Sequence, residues 1–195
     1  MTTLSFPSVG VAKMSMRLRR VVAVSESPFT LDTQVYAHQG ARWEAEVSLP
    51  PLSPEQAAPV EAFIVGLKGR ENTFTFGNPL HTSTATATTS GITAIRSETL
   101  TTTSGGSAVT AGTYFQLGDY LYLVTLDKSS GAGTLNFQPP LRAAIASGQV
   151  CDFTLPKTLW RMATNDVGWS IDSTSLYGFT SVSYTHLTLP TNREV

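Results

Sequence analysis

A single cysteine and three histidines in 195 residues leave few of the side chains from which catalytic and metal centres are usually built. Cys151 alone permits no intrachain disulfide and no cysteine metal cluster. It lies in Val150-Cys151-Asp152-Phe153, which reads as a strand, where cysteine is most often a small core residue. Charge is scarce too. Charged residues make up 14% of the chain, the net charge is −1 and the pI is near 6.3, so no strong overall field draws nucleic acid. Sequence-specific nucleic-acid binding is therefore not expected. Arg17, Arg19 and Arg20 form the one basic cluster, which suits a solvated strand or a local interface. No apolar run approaches the ~20 residues that span a bilayer, so membrane insertion is not expected. The start, Met1 to Pro7, lacks a basic segment followed by an apolar one, so no signal peptide is read and synthesis in a cytoplasm is expected.

What is present points to strands. Hydrophobic residues reach 41%, too many for disorder, and Thr, Ser and Gly are plentiful. Residues 17–24 read as a strand ending at Ser25. In 42–49, Trp43, Ala45, Val47 and Leu49 alternate with Arg42, Glu44, Glu46 and Ser48, the period of a strand with one buried face and Glu44 and Glu46 in water. Pro50 and Pro51 stop it. A helix follows near 54–67. Ser53 can cap it, Pro54 suits the first helical position and Gln56 completes a capping box. Val60, Phe63, Ile64 and Leu67 make one apolar stripe, and Gly69 supplies the stop. Pro59 leaves room for a kink or a shortened start. Asn72 to Phe76 reads as a further alternating strand.

Composition then shifts. Residues 81–111 are dominated by Thr, Ser, Ala and Gly, which fits either a flexible linker or short exposed strands anchored by Ile92 and Ile95; the strands are preferred because Thr favours them. Tyr114 to Leu117, the turn Gly118-Asp119 and Tyr120 to Leu126 predict a hairpin, with further strands at 134–137 and 150–155. Strands bearing aromatics recur at 158–162, 168–172 and 176–180. The expected fold is mainly β: a discontinuous β-sandwich-like domain, 1–80 with 156–181, carrying one packed helix and hosting a small β-barrel at 81–155.

No enzyme is expected. His38, in a predicted turn at 36–40, and His81, in a loop, have no acidic or cysteine neighbours in sequence. Asp119, Asp127 and Asp152 suit turns and strand ends better than an acid/base pair. Gly105-Gly106 and Gly131-Ala132-Gly133 lie between strands, not ahead of a phosphate-binding helix, and Asp127 to Gly131 lacks a calcium-loop pattern. No catalytic residue, metal ligand or cofactor is assigned. Tyr114, Phe115, Tyr120 and Tyr122 could form a sugar-stacking surface, with half of them turned into the core by strand alternation, so Tyr114, Tyr120 and Tyr122 are the candidate carbohydrate contacts.

Residues 182–191, Val-Ser-Tyr-Thr-His-Leu-Thr-Leu-Pro-Thr, match a translation of GTC TCT TAT ACA CAT CTG ACG CTG CCG ACG, the transposase adapter of short-read sequencing libraries. The stretch 182–195 is accordingly read as an artefactual tail, His186 is not taken as a ligand, and the native end is expected to be lost.

Three stretches, in this order, resemble the distal tail and minor tail proteins of long-tailed bacteriophages. They are Trp43 to Leu52 with the Ala62-Phe63-Ile64 helix, Leu67-Lys68-Gly69 and Asn72-Thr73-Phe74; Ala111 to Thr125 with Gly131 to Leu135 and Pro139 to Arg142; and Trp160-Arg161-Met162 through Gly168 to Asp172. The resemblance implies a virion structural protein in the tail tip. Such a protein forms a homo-oligomeric ring, expected to be a hexamer, that joins the tail tube to the tip hub, with an inserted β-barrel facing outward. Ring closure needs unlike patches that meet, and sheet edges serve this well. The first sheet is therefore the expected interface, with Arg17, Arg19, Glu44 and Glu46 as candidate contacts. The alternative is a carbohydrate-binding module that touches a host-surface glycan through the insert.

Overall fold

A computed structural model describes residues 2–79, 81–166, 168–171 and 176–185, and the backbone alone of Gln39 and Val182. Asp172 and His186 lie outside the described residues. The chain is mainly β, 47% strand against 7% helix. Its elements in order are β1 (Thr3–Ser5), β2 (Lys13–Glu26), β3 (Thr33–Ser48), α1 (Pro54–Gly66), β4 (Thr73–Gly77), β5 (Thr86–Thr88), β6 (Thr99–Thr102) and β7 (Tyr114–Leu117). There follow β8 (Tyr120–Val124), β9 (Gly133–Gln138), β10 (Val150–Asp152), β11 (Lys157–Met162), β12 (Ser170–Ile171), β13 (Tyr177–Gly178) and β14 (Thr180–Thr185). The chain packs as two compact units: the described residues of 1–17, 42–76 and 159–195 form one, and those of 18–41 and 77–158 the other.

The main sheet runs β1-β4-β11-β14-β3-β2, so β1 and β2 are its edges. Helix α1 has the stripe its spacing predicts: Val60, Phe63, Ile64 and Leu67 are buried, joined by Ala57. The Ser53 amide donates to Gln56 Oε1 at 3.3 Å, one arm of the capping box. Pro59 lies inside the helix without ending it. Phe63 and Phe74 meet edge to face at 5.5 Å, and the buried Trp160 indole donates to the Phe76 carbonyl at 2.8 Å, satisfying its one polar atom. Strand β14 pairs with β3 from Thr180↔Ser48 to Tyr184↔Glu44, so residues 182–185, the beginning of the adapter-like stretch, lie within a strand. The Trp43 amide donates to Thr185 Oγ1 at 3.1 Å.

Strands β2 and β3 are longer than the sequence suggests. The predicted strand 17–24 extends to Lys13–Glu26, and the expected turn at 36–40 is instead part of β3. Reversal occurs earlier, where the Leu31 amide donates to the Ser27 carbonyl and the Ser27 amide to Asp32, both at 2.9 Å. The strand-forming Thr33, Val35 and Tyr36 then carry the chain back.

The second sheet runs β5-β10-β7-β8-β9-β6. It curls until its outer strands meet: Thr89 bridges Thr102, with Ser90 donating to Thr101 at 2.7 Å and Thr103 to Thr88 at 2.9 Å. Segment 81–111 is thus barrel wall, not linker. Ile92 and Ile95, expected as anchors, are exposed; Ala87, Leu100 and Val109 are buried in their stead. The middle of the barrel is aromatic. Phe115 lies 5.4 Å from Tyr122, 5.6 Å from Phe137 and 5.3 Å from Phe153, ring centre to ring centre, and all four rings are buried.

Candidate functional site

The residues that could have carried chemistry are kept apart. His38 is exposed on β3 and Cys151 is buried opposite Ala87 in β10, and no hydrogen bond or ion pair joins either to a carboxylate among the described residues. Burial pushes the Cys151 thiol up to about 12, far from a reactive thiolate. His81 is tied into the barrel: its Nε2 lies 2.9 Å from the Phe153 carbonyl and its ring meets Tyr114 edge-on at 5.9 Å. The three aspartates serve turns. Asp127 accepts from the Ala111 amide at 2.7 Å, Asp152 from Thr154 at 2.9 Å, and the Asp119 carbonyl accepts from Thr158 at 2.8 Å. Among the described residues no three His, Cys, Asp or Glu side chains are grouped to hold a metal. A cavity of about 30 Å³ beneath α1, lined mostly by apolar side chains such as Phe6, Val60, Phe63, Phe74 and Met162, with Ser181 and Ser183 as its polar members, has room for about one water.

The aromatic surface proposed for sugars does not form. In the β7–β8 pairing Phe115 stands opposite Tyr122 and Leu117 opposite Tyr120, so both tyrosines face inward. Tyr122 is fully buried, and Tyr114 points to the opposite face. Tyr122 is withdrawn as a contact for a bound glycan, and Tyr114 and Tyr120 cannot share one platform. Tyr122 has a further peculiarity: its hydroxyl faces the Arg142 main chain without closing a hydrogen bond of normal geometry. Burial pushes this phenol up to about 12, with Arg142 opposing the shift.

The interface candidates divide in the same way. Glu44, expected in water, is 7% exposed. It accepts from Arg17 Nε at 2.7 Å and from Arg42 Nη2 at 2.8 Å, and the Arg42 guanidinium lies over the Tyr184 ring at 4.8 Å. The Arg42 hydrogen bond does most to hold the Glu44 carboxyl below its ordinary range; partial burial opposes it and Arg17 assists. Glu44 is therefore engaged within the chain. Arg17, Arg19 and Glu46 remain exposed, and Arg20 pairs with Glu98 at 3.3 Å and with Gln138.

The surface missed by sequence reasoning lies between them. From Arg19 to Gly40 nearly every described side chain is exposed on both faces of the β2–β3 hairpin. At about 3.3 Å per residue, 14-residue β2 is roughly 45 Å long. The hairpin as a whole displays Val21, Val22, Val24, Phe29, Leu31, Val35 and Tyr36 to solvent. A two-stranded ribbon without a packed face is marginal in water. No protein-family model matches the chain, and no curated protein matches it as a relative.

Proposed function

We propose that this chain is a virion structural protein of a phage tail tip, assembling into a ring, expected to be hexameric, that joins the tail tube to the tip hub. It acts without catalysis. The observation that carries the reading is the exposed hairpin, and in particular Leu31. This leucine holds φ at +59° while its side chain is 70% exposed, so the free protomer bears both backbone strain and a wet apolar side chain. Contact with a second copy would cover that side chain, and this supports the reading.

The sheet order supports the same occupant. β1 and β2 are unlike edges of one sheet, and unlike patches allow head-to-tail addition that closes into a ring. The mainly β fold and the order of the resembling stretches agree with a tail-tip protein, whose place would be the virion tail. The host-glycan alternative loses its shared aromatic platform. The test is electron microscopy and light scattering of the purified chain. Closed rings of one stoichiometry are expected; a strict monomer at high concentration overturns the proposal.

A further inference from the structure

Two loops of the barrel close on one another where β9 begins: residues 103–107, after β6, and 127–132, ahead of β9. The Gly131 amide donates to the Gly106 carbonyl at 2.8 Å, and Lys128 and Val109 exchange main-chain hydrogen bonds at 2.8 and 2.9 Å. A Cβ at Gly106 would stand 3.2 Å from the Thr86 carbonyl oxygen, tighter than ordinary contact, so glycine lets the loop lie this close. The Lys128 side chain fills the space that remains and is 5% exposed. Its ammonium donates to the Ser129 carbonyl at 3.0 Å and to the Gly131 carbonyl at 2.8 Å. It also lies 3.5 Å from where a Gly106 Cβ would be, and Gly133 stands against the stem, 3.7 Å from Cε by the same measure. No carboxylate pairs with it among the described residues. A buried ammonium is costly unless its donors are met, and a carboxylate is the usual partner. Here neutral main-chain oxygens of a single turn meet them, so the cation and the turn depend on each other.

We propose that this nest is an ammonium site that the chain fills with its own side chain, and that the Lys128 ammonium is the latch of the barrel end. Two carbonyl oxygens turned toward one point repel each other unless a cation sits between them. The ammonium draws the Ser129 and Gly131 carbonyls to that point, and the turn so held presents the Gly131 amide to Gly106 in the facing loop. Without the cation the turn opens and the bond between the loops is lost. An alkylammonium ion from solution, placed where the side chain had been, closes it again. The site lies wholly within the barrel and stands whether or not the chain forms rings.

The test is amide hydrogen exchange of the full chain, followed by NMR, with Lys128→Met and Lys128→Ala beside the parent. Lys128→Met keeps a stem and loses the ammonium, so the Gly131 amide should exchange at least about tenfold faster, as expected when hydrogen bonds to a charged group go. Parent-like exchange in that variant would overturn the latch. Lys128→Ala vacates the outline of n-propylammonium. Adding that ion should restore slow exchange at Gly131 in a saturable way, and should leave the parent and Lys128→Met unchanged, since in both the space is filled. Tetramethylammonium, which has no N–H to donate, and 1-propanol, which has the stem without the charge, should not restore it. An unresponsive folded Lys128→Ala, or an equal response to 1-propanol or tetramethylammonium, would overturn the ammonium site. Should Lys128→Ala not fold alone, its refolding yield in n-propylammonium against 1-propanol reads the same contrast, and equal yields would overturn the site.

Discussion

Replacing Phe29 and Leu31 together with serine should abolish assembly while leaving the protomer folded. These side chains are 94% and 70% exposed, so nearly all of their apolar surface is available to a neighbour. Complete burial of a phenylalanine or leucine contributes about 1.5–3 kcal/mol. Scaled by those exposures, the pair supplies roughly 2.5–5 kcal/mol per contact, which weakens association by about 60-fold to several thousand-fold when it is lost. The free protomer has little to lose, since surface changes away from special features usually stay within about 0.5 kcal/mol. Sedimentation velocity across a concentration series, paired with thermal melts, reads both quantities. Assembly at unchanged concentrations would refute the reasoning. So would a melting temperature that fell in step with assembly, because the two side chains would then be packing inside the protomer.

Other perturbations test the barrel and the buried carboxylate. Phe115→Ala removes the ring that touches Tyr122, Phe137 and Phe153 and should lower stability by about 3–5 kcal/mol, read from urea unfolding; an unchanged midpoint would contradict the packing described. Cys151 should resist a disulfide reagent at pH 8 in the native protein and react at once in denaturant, since its thiol is buried and pushed up to about 12; rapid native labelling would show an open barrel wall. Glu44 titrates below its ordinary 4.5 when folded, so its stabilisation is complete above that value and is lost as pH falls through the folded one. Glu44→Gln should therefore be less stable than the parent at pH 7, with the gap closing below about pH 4.5; a gap independent of pH would separate the effect from charge.

Much of the fold was legible because local pattern and tertiary packing agree. The α1 stripe, its capping residues and the β7–β8 turn follow from spacing and turn chemistry, which depend on near neighbours. Leu100 and Val109 illustrate what was not legible. In a Thr- and Ser-rich stretch the isoleucines look like the anchors, yet Ile92 and Ile95 are exposed and the less conspicuous residues are buried, because position around a curled sheet selects them. Lys128 is a sharper case: nothing local marks it as buried, and its ammonium is satisfied by the carbonyls of Ser129 at 3.0 Å and Gly131 at 2.8 Å, a turn's own backbone taking the place of a carboxylate.

Glu44 and Tyr120 show why site reasoning from alternation has a limit. Period two assigns a residue to one of two faces, but whether that face is wet depends on what the rest of the chain lays over it. At Glu44 two arginines and the strand carrying Tyr184 cover the face the pattern gives to water. On the hairpin the opposite occurs: valines, a phenylalanine and a leucine have the composition of a buried strand, yet they stand from about half to almost wholly exposed. A pattern that predicts burial and a protomer that does not provide it differ by one missing surface. On the proposed ring reading, another copy of the same chain would supply that surface, since each copy would bring both an exposed hairpin and an unlike sheet edge.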